Sequence, residues 1–120
     1  MIFVRIIMNV LPEKHKEVLQ TLLALIANPE EARNALSYGI FSDIENQNNF
    51  NLISEWKTRR HLDDHMQSDR FSVLLGTKSL LSEPLKIHIF TVTDAEGMVA
   101  VNSIRKKLKP IYPLKRGKGD

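Results

Sequence analysis

The chain has 120 residues, the length of one domain, and its apolar content of 42% and charged content of 26% are ordinary for a globular protein. The absence of cysteine excludes a disulfide framework, a thiolate metal site and a cysteine nucleophile. No apolar run approaches the roughly 20 residues of a membrane span, and the strand-like start is unlike a signal peptide. These features predict a cytoplasmic protein without a membrane partner.

The net charge of +3 is unevenly distributed along the chain. From Arg105 onward there are seven basic residues and one acidic residue, so this tail carries +6 and the remainder carries −3. A basic tail can bind nucleic acid or an acidic surface. It lacks a pattern of interleaved aromatic residues for stacking on bases, so the sequence favours a solvated tail over a nucleic-acid-binding one.

The first elements predicted are a strand and a helix. Residues 2–10 are rich in β-branched residues and alternate weakly, which indicates a strand. Apolar residues at three- and four-residue steps predict an amphipathic helix over 13–27, ended by Asn28-Pro29. The residues expected on its buried face are Val18, Leu19, Leu22, Leu23 and Ile26.

A connection over 30–36 then leads to two further strands. The second strand is predicted over 36–45, with Gly39 as a candidate bulge. The asparagine-rich residues 46–49 are expected to form the turn, because asparagine tolerates the backbone angles of tight turns. A third strand follows over 50–57 and ends at the single tryptophan of the chain.

Two short helices and a last strand complete the pattern. Thr58 is expected to cap the first of these helices, and Ser68 with Asp69 the second, which ends at Gly76. The last strand is predicted over 85–92. The order is βαββαβ, which is the ferredoxin-like arrangement, an α+β fold with an antiparallel sheet.

The predicted helices cover one face of the sheet and leave apolar residues on the other face. A second subunit packed sheet to sheet would cover them, so we expect a homodimer. The predicted domain spans 1–92, with a C-terminal extension over 93–120. An amphipathic segment over 94–107 is expected to pack on the partner or on the sheet edge, and the basic residues 108–120 are expected to be mobile.

His65 and Trp56 are the candidate catalytic residues. Leu62 and Met66 are four residues apart and form the buried stripe of their helix, and His65 lies about 60° from that stripe, at the edge of the buried face. A histidine there suits a general base, because imidazole titrates near neutral pH. The structural alternatives are a boundary histidine with ordinary hydrogen bonds and a tryptophan that only fills the core.

A metal site is a less favoured interpretation of the histidines on the predicted helix that carries His65. His61 and His65 are four residues apart and could face one metal ion. No third ligand is identifiable, because His15 and His88 are distant in the chain. The sequence therefore predicts neither a metal nor any other cofactor.

The run Trp56…Leu62…His65…Ser68-Asp69…Phe71 resembles the antibiotic-biosynthesis-monooxygenase (ABM) domain, as do Val4-Arg5-Ile6 and Leu11-Pro12-Glu13-Lys14. The resemblance covers residues 1–92. It implies a dimeric α+β barrel, in which two ferredoxin-like sheets pack together and each subunit has a pocket between its sheet and helices. Members of this family oxidise aromatic polyketides or quinols without metal or flavin, or degrade haem.

The resemblance also implies site residues. The family tryptophan, helix histidine and following phenylalanine match Trp56, His65 and Phe71. With Leu62 and Met66 they would line the pocket. The polyketide-oxidising members have an asparagine at the position of Leu52. The haem-degrading members have an asparagine in the first strand, at the position that corresponds to Ile6-Ile7 here, and Asn9 lies too far along the chain to match it.

The leading hypothesis is a cofactor-independent monooxygenase that oxidises a small aromatic quinol or polyphenol. His65 would remove a phenolic proton in a pocket lined by Trp56, Phe71, Leu62, Met66 and Leu52. The alternative is a dimeric binding or sensing module that holds an apolar ligand without turnover. A haem-degrading monooxygenase is the weaker alternative.

Overall fold

A computed structural model describes residues 1–27 and 34–108. The elements in chain order are β1 (Ile2–Asn9), α1 (His15–Ile26), β2 (Ala35–Asp43), β3 (Asn46–Trp56), α2 (Arg59–Met66), α3 (Asp69–Leu75), β4 (Lys86–Thr91) and α4 (Met98–Leu108). Short 3₁₀ segments precede α1 and follow α3. This order confirms the predicted βαββαβ arrangement. Most of the predicted connection over 30–36 and of the tail over 108–120 lies outside the described residues.

The strands form one antiparallel sheet in the order β2-β3-β1-β4. The central strand β1 pairs with β3 on one side, where Ile2 lies opposite Trp56, and with β4 on the other, where Val4 lies opposite Ile89. Because side chains alternate along a strand, this register fixes which residues of neighbouring strands share a face.

The core lies between one face of this sheet and the helices. Strands β1 and β3 contribute alternate residues to it, and α1, α2 and α3 contribute one stripe each. The largest fully buried side chains are Met8, Val18, Leu22, Trp56, Leu62 and Leu74. The single tryptophan is therefore a core residue as well as the end of a strand.

Helix α1 is rotated relative to the predicted face. Val18 and Leu22 are fully buried, and Leu25 packs against the core, whereas Leu23 and Ile26 are exposed. Apolar residues lie on more than half of this helix, so its sequence pattern did not identify a unique buried stripe.

The hairpin between β2 and β3 turns earlier than predicted. The turn residues are Ile44 and Glu45, and the asparagines from residue 46 already belong to β3. The Asp43 side chain accepts a hydrogen bond from the Glu45 backbone N–H at 2.8 Å, and this local bond stabilises the turn. The prediction of a turn over 46–49 was wrong because aspartate performed the role assigned to asparagine.

Gly39 is not a bulge, because it pairs in register with Ile53. The register shifts lie elsewhere, between Ala35 and Ser37 and between Ser42 and Asp43. A Cβ on Gly39 would come within 3.1 Å of the Phe41 ring. A larger residue here would require the exposed Phe41 ring, which lies over Gly39 on the same face of the sheet, to shift by a few tenths of an ångström.

The predicted caps of α2 and α3 are confirmed. The Thr58 side chain accepts a hydrogen bond from the His61 N–H, and the Ser68 side chain accepts one from the Phe71 N–H. Gly76 follows the last residue of α3, but its backbone is right-handed helical and the chain continues as a 3₁₀ segment. The glycine therefore ends the α-helix without reversing the chain.

Helix α4 is amphipathic, but it does not bury its apolar side chains. Met98, Val99, Val101 and Ile104 are all exposed. It therefore does not pack its apolar stripe on the sheet edge of its own chain, and packing on a partner stays a prediction. Among the described residues, no helix is both long and apolar enough to cross a membrane.

Candidate functional site

A cavity lies between the sheet and helices α2 and α3. Five of the six predicted site residues border it, namely Leu52, Leu62, His65, Met66 and Phe71. Strands β1, β2, β3 and β4 form its floor through Val4, Ile6, Tyr38, Ser54 and Ile87. We call this space the helix-side cavity.

The helix-side cavity is small. Its side chains surround about 290 Å³ of space, including the part open to solvent. The space left between the side chains is enough for about one water molecule. A larger ligand therefore needs side chains to move, and Met66 is the most adaptable of those that border the cavity.

His65 lies in a cage of aromatic rings at this cavity. Its ring centroid is 4.8 Å from that of Trp56 at an interplanar angle of 32°, and the Tyr38 and Phe71 rings meet it edge-on at 5.7 and 5.6 Å. Its Nδ1 is buried and has no hydrogen-bond partner among the described residues. The imidazole is thus held by packing, and the hydrogen-bonding capacity of its Nδ1 is not used by the described residues.

Burial lowers the pKa of His65 below its ordinary value, because the charged imidazolium loses its water. The side chain is therefore neutral at pH 7. A neutral imidazole can accept a proton, so its protonation state is the one required of a general base.

Trp56 does not border the helix-side cavity. It is 1% exposed and lies behind His65. Its indole N–H donates a hydrogen bond of 2.9 Å to the Ser54 hydroxyl. The indole therefore contacts two polar side chains of the cavity, which makes it a support for them rather than part of the cavity wall.

Sequence reasoning left two polar residues of the cavity out of the predicted site. Ser54 lies between Leu52 and Trp56 on the same face of β3, so period-two alternation from those residues would have included it. Tyr38 lies opposite Ser54 across the β2–β3 pair. Its position depended on the strand register, which the sequence did not define.

The other histidines lie away from this site. His88 is on the opposite face of the sheet, where its Nδ1 is 3.5 Å from an Arg5 nitrogen. His61 precedes His65 by one helical turn but does not border the cavity. Among residues 1–27 and 34–108, no three histidine, aspartate or glutamate side chains cluster in a way that could hold a metal.

The first strand presents no polar group to the cavity. Its residues there are Val4 and Ile6. Asn9 lies on the opposite face, where its side-chain oxygen accepts a hydrogen bond from Asn49 at 2.9 Å. The residues of β1 therefore do not fit a haem site that needs an amide beside iron-bound oxygen.

The chain can be compared with protein-family models, with curated proteins and with solved structures. A family model described as antibiotic biosynthesis monooxygenase matches residues 1–74. A comparison with curated proteins finds no significant match.

Solved structures share the fold. A crystal structure described as an antibiotic biosynthesis monooxygenase has a TM-score of 0.71 at 21% identity, covering 78% of this chain and 100% of the other. A conserved protein from Methanosarcina mazei Go1 is 28% identical with a TM-score of 0.68, covering 74% and 89% of the two chains. Rv0793 from Mycobacterium tuberculosis is 18% identical with a TM-score of 0.70, covering 80% and 98%.

Proposed function

The chain belongs to the antibiotic biosynthesis monooxygenase family, and we propose that it is a cofactor-independent monooxygenase that oxidises a small aromatic quinol or polyphenol in the helix-side cavity. The observation that supports this most directly is His65. It is neutral, caged by three aromatic rings and left with an unpartnered buried nitrogen. A neutral base positioned in a space that excludes water can accept a phenolic proton and protect the anion that forms.

In the proposed reaction, His65 accepts a proton from a hydroxyl group of the hydroquinone. The resulting anion carries negative charge on the ring carbons, and one of these carbons reacts with O₂. One oxygen atom enters the ring and the other leaves as water, so a hydroquinone yields a hydroxyquinone. All four electrons that reduce O₂ come from the substrate, and the reaction needs no external reductant.

The remaining residues of the cavity have supporting roles in this proposal. Phe71, Leu62, Met66 and Leu52 bind the aromatic ring through apolar contact and exclude water. Trp56 holds the imidazole by stacking against it. An aromatic ring enters the cavity when side chains such as Met66 move.

We also propose that the enzyme is a homodimer. The face of the sheet opposite the helices carries apolar side chains that residues 1–27 and 34–108 leave partly or largely exposed. We call it the open face, and its apolar residues are Phe3, Ile7, Phe41, Ile53 and Phe90. Phe41 is 55% exposed and Phe90 is 47% exposed. Pairing of two open faces would remove these rings from water.

The test is oxygen consumption by the purified protein with a panel of hydroquinones and polyphenols. We expect His65→Gln to lower kcat by roughly 10²- to 10⁴-fold, the usual contribution of a general base. His61→Gln is the matched control, since it removes a histidine from the same helix outside the cavity, and we expect it to retain activity. Equal losses in both variants would rule out His65 as the base.

The same assay distinguishes the ligand-binding alternative. A wild-type protein that binds panel compounds without consuming oxygen would be a binding module, and His65→Gln would then affect affinity alone. A substrate-dependent uptake of oxygen that disappears with His65→Gln supports the enzyme.

A further inference from the structure

Ser54 is a buried hydroxyl group at the cavity whose hydrogen-bonding capacity is only partly used. It is 6% exposed and borders the cavity from β3. Its oxygen accepts the hydrogen bond of the Trp56 indole N–H, and among the hydrogen bonds of the described residues it donates none. A serine hydroxyl has one hydrogen to donate, so this hydrogen is available to a ligand.

The indole also restricts where that hydrogen can point. Because the Trp56 N–H occupies a lone pair of the Ser54 oxygen at 2.9 Å, the hydroxyl cannot rotate freely without weakening this bond. Trp56 is nearly fully buried and cannot move aside. The donor is therefore oriented before a ligand arrives, which lowers the cost of using it.

Ser54 and His65 lie against the same indole. Ser54 binds its N–H, and His65 stacks on its ring. One residue lies on the sheet and the other on α2, so they approach the cavity from opposite walls. Both side chains border the helix-side cavity, so a hydroxyl donor and a base line the same space.

We propose that Ser54 is a substrate-binding residue that donates a hydrogen bond to the oxygen from which His65 removes the proton, with Trp56 as the positioning residue for both. This inference rests on the proposed function and deepens it. The negative charge that develops on the substrate oxygen strengthens the Ser54 hydrogen bond, because hydrogen bonds to charged groups are about twice as strong as neutral ones. Ser54 therefore stabilises the phenolate and lowers the barrier to its formation.

The first experiment uses 4-nitrophenol, a probe whose colour reports its ionisation and which needs no turnover. In the wild-type protein the bound probe should ionise at lower pH than in Ser54→Ala, by roughly one pH unit or tenfold in the ionisation constant. Ser42→Ala is the matched control, since Ser42 lies exposed on the neighbouring strand, and it should behave as wild type. Equal ionisation in wild type and Ser54→Ala, including failure of both to bind, overturns the proposal.

A second variant distinguishes loss of the hydroxyl donor from loss of the folded structure. Ser54→Ala leaves the buried Trp56 N–H without an acceptor, which destabilises the fold. Ser54→Thr keeps the hydroxyl and suits a strand, so it should restore most of the wild-type probe ionisation. A threonine variant that folds but behaves as alanine would also overturn the proposal.

Measuring oxygen consumption distinguishes a failure of this inference from a failure of the proposed function. With an active hydroquinone, Ser54→Ala should lower kcat roughly 10- to 100-fold, with a smaller change in KM, because the hydrogen bond is strongest to the anion. No oxygen uptake by the wild type defeats the proposed function, while the probe still tests Ser54. Uptake that Ser54→Ala leaves unchanged defeats the inference alone.

Discussion

The two faces of the sheet are built by the same strands, yet they differ in burial and in chemistry. Along β1, residues on the helix side are buried and those on the open face are only half-buried. The helix side has a cavity with an unpartnered imidazole nitrogen, whereas on the open face Arg5 lies beside His88. Both faces carry large apolar residues, so apolar content alone does not distinguish a covered face from an uncovered one.

The largest expected difference between the faces is in stability. Trp56→Ala should lower the free energy of unfolding by about 3–5 kcal/mol, because it opens a cavity in the core and removes the donor to Ser54. The open-face counterpart, Phe90→Ala, should cost less than about 1 kcal/mol in the monomer, since about half of that ring is already in water. Urea denaturation at several protein concentrations measures both.

Protein concentration makes this comparison sharper. If two open faces pair, the cost of Phe90→Ala should grow as the protein is concentrated, whereas that of Trp56→Ala should not. A large cost for Phe90→Ala at the lowest concentration would contradict our description of the open face as uncovered in the single chain.

The second prediction concerns assembly. Ile53→Lys places a charge among the apolar residues of the open face and should raise the dimer dissociation constant by about 100-fold or more, since an unpaired buried charge costs several kcal/mol. Sedimentation equilibrium measures this constant. Ile44→Lys makes the same change at the exposed hairpin turn and should leave assembly unaltered. A wild type that is monomeric at all concentrations would refute the dimer.

Much of this fold was predictable because its local signals agree. Hydroxyl caps at Thr58 and Ser68 fixed the start of both short helices. Alternation identified Leu52 and Trp56 as residues of one face, and the stripe of Leu62 and Met66 placed His65 at its edge. These are short-range patterns, in which the sequence separation is small and the geometry is regular.

The remaining features depend on long-range pairing. The strand register determines that Tyr38 borders the cavity and that His88 does not. The sequence of either strand alone does not indicate this register. The separation of Trp56 from the cavity by the His65 ring depends on how α2 packs on β3. A site built from four strands and two helices is therefore only partly visible in the sequence.

The third prediction tests how far the helix side depends on the cap of α2. Thr58→Ala removes the acceptor for the His61 N–H and should lower the free energy of unfolding by about 1 kcal/mol. Thr58→Ser keeps the acceptor and should recover most of that loss, as measured by thermal or urea denaturation. A loss as large for serine as for alanine would show that the threonine methyl group, rather than the cap, carries the effect.

The smallest expected effect is a pH dependence of the free energy of unfolding that arises from His65 on the helix side. Burial lowers the pKa of His65 in the folded chain, so at a pH between the folded value and the unfolded value of about 6.5 the unfolded chain binds more protons. The free energy of unfolding should therefore rise with pH through this window, reach its full value above about pH 6.5, and fall as the solution is acidified.

Urea denaturation of wild type, His65→Gln and His88→Gln across this range isolates the contribution of His65. Replacing His65 should flatten the pH dependence of the free energy of unfolding, because it removes the group whose pKa differs between the folded and unfolded states. Replacing His88 on the open face leaves His65 in its cage, so the His65 component should persist. If His65→Gln kept the full dependence and His88→Gln lost it, the proton-linked group would lie on the open face, and the helix-side cavity would not contain the proposed neutral base.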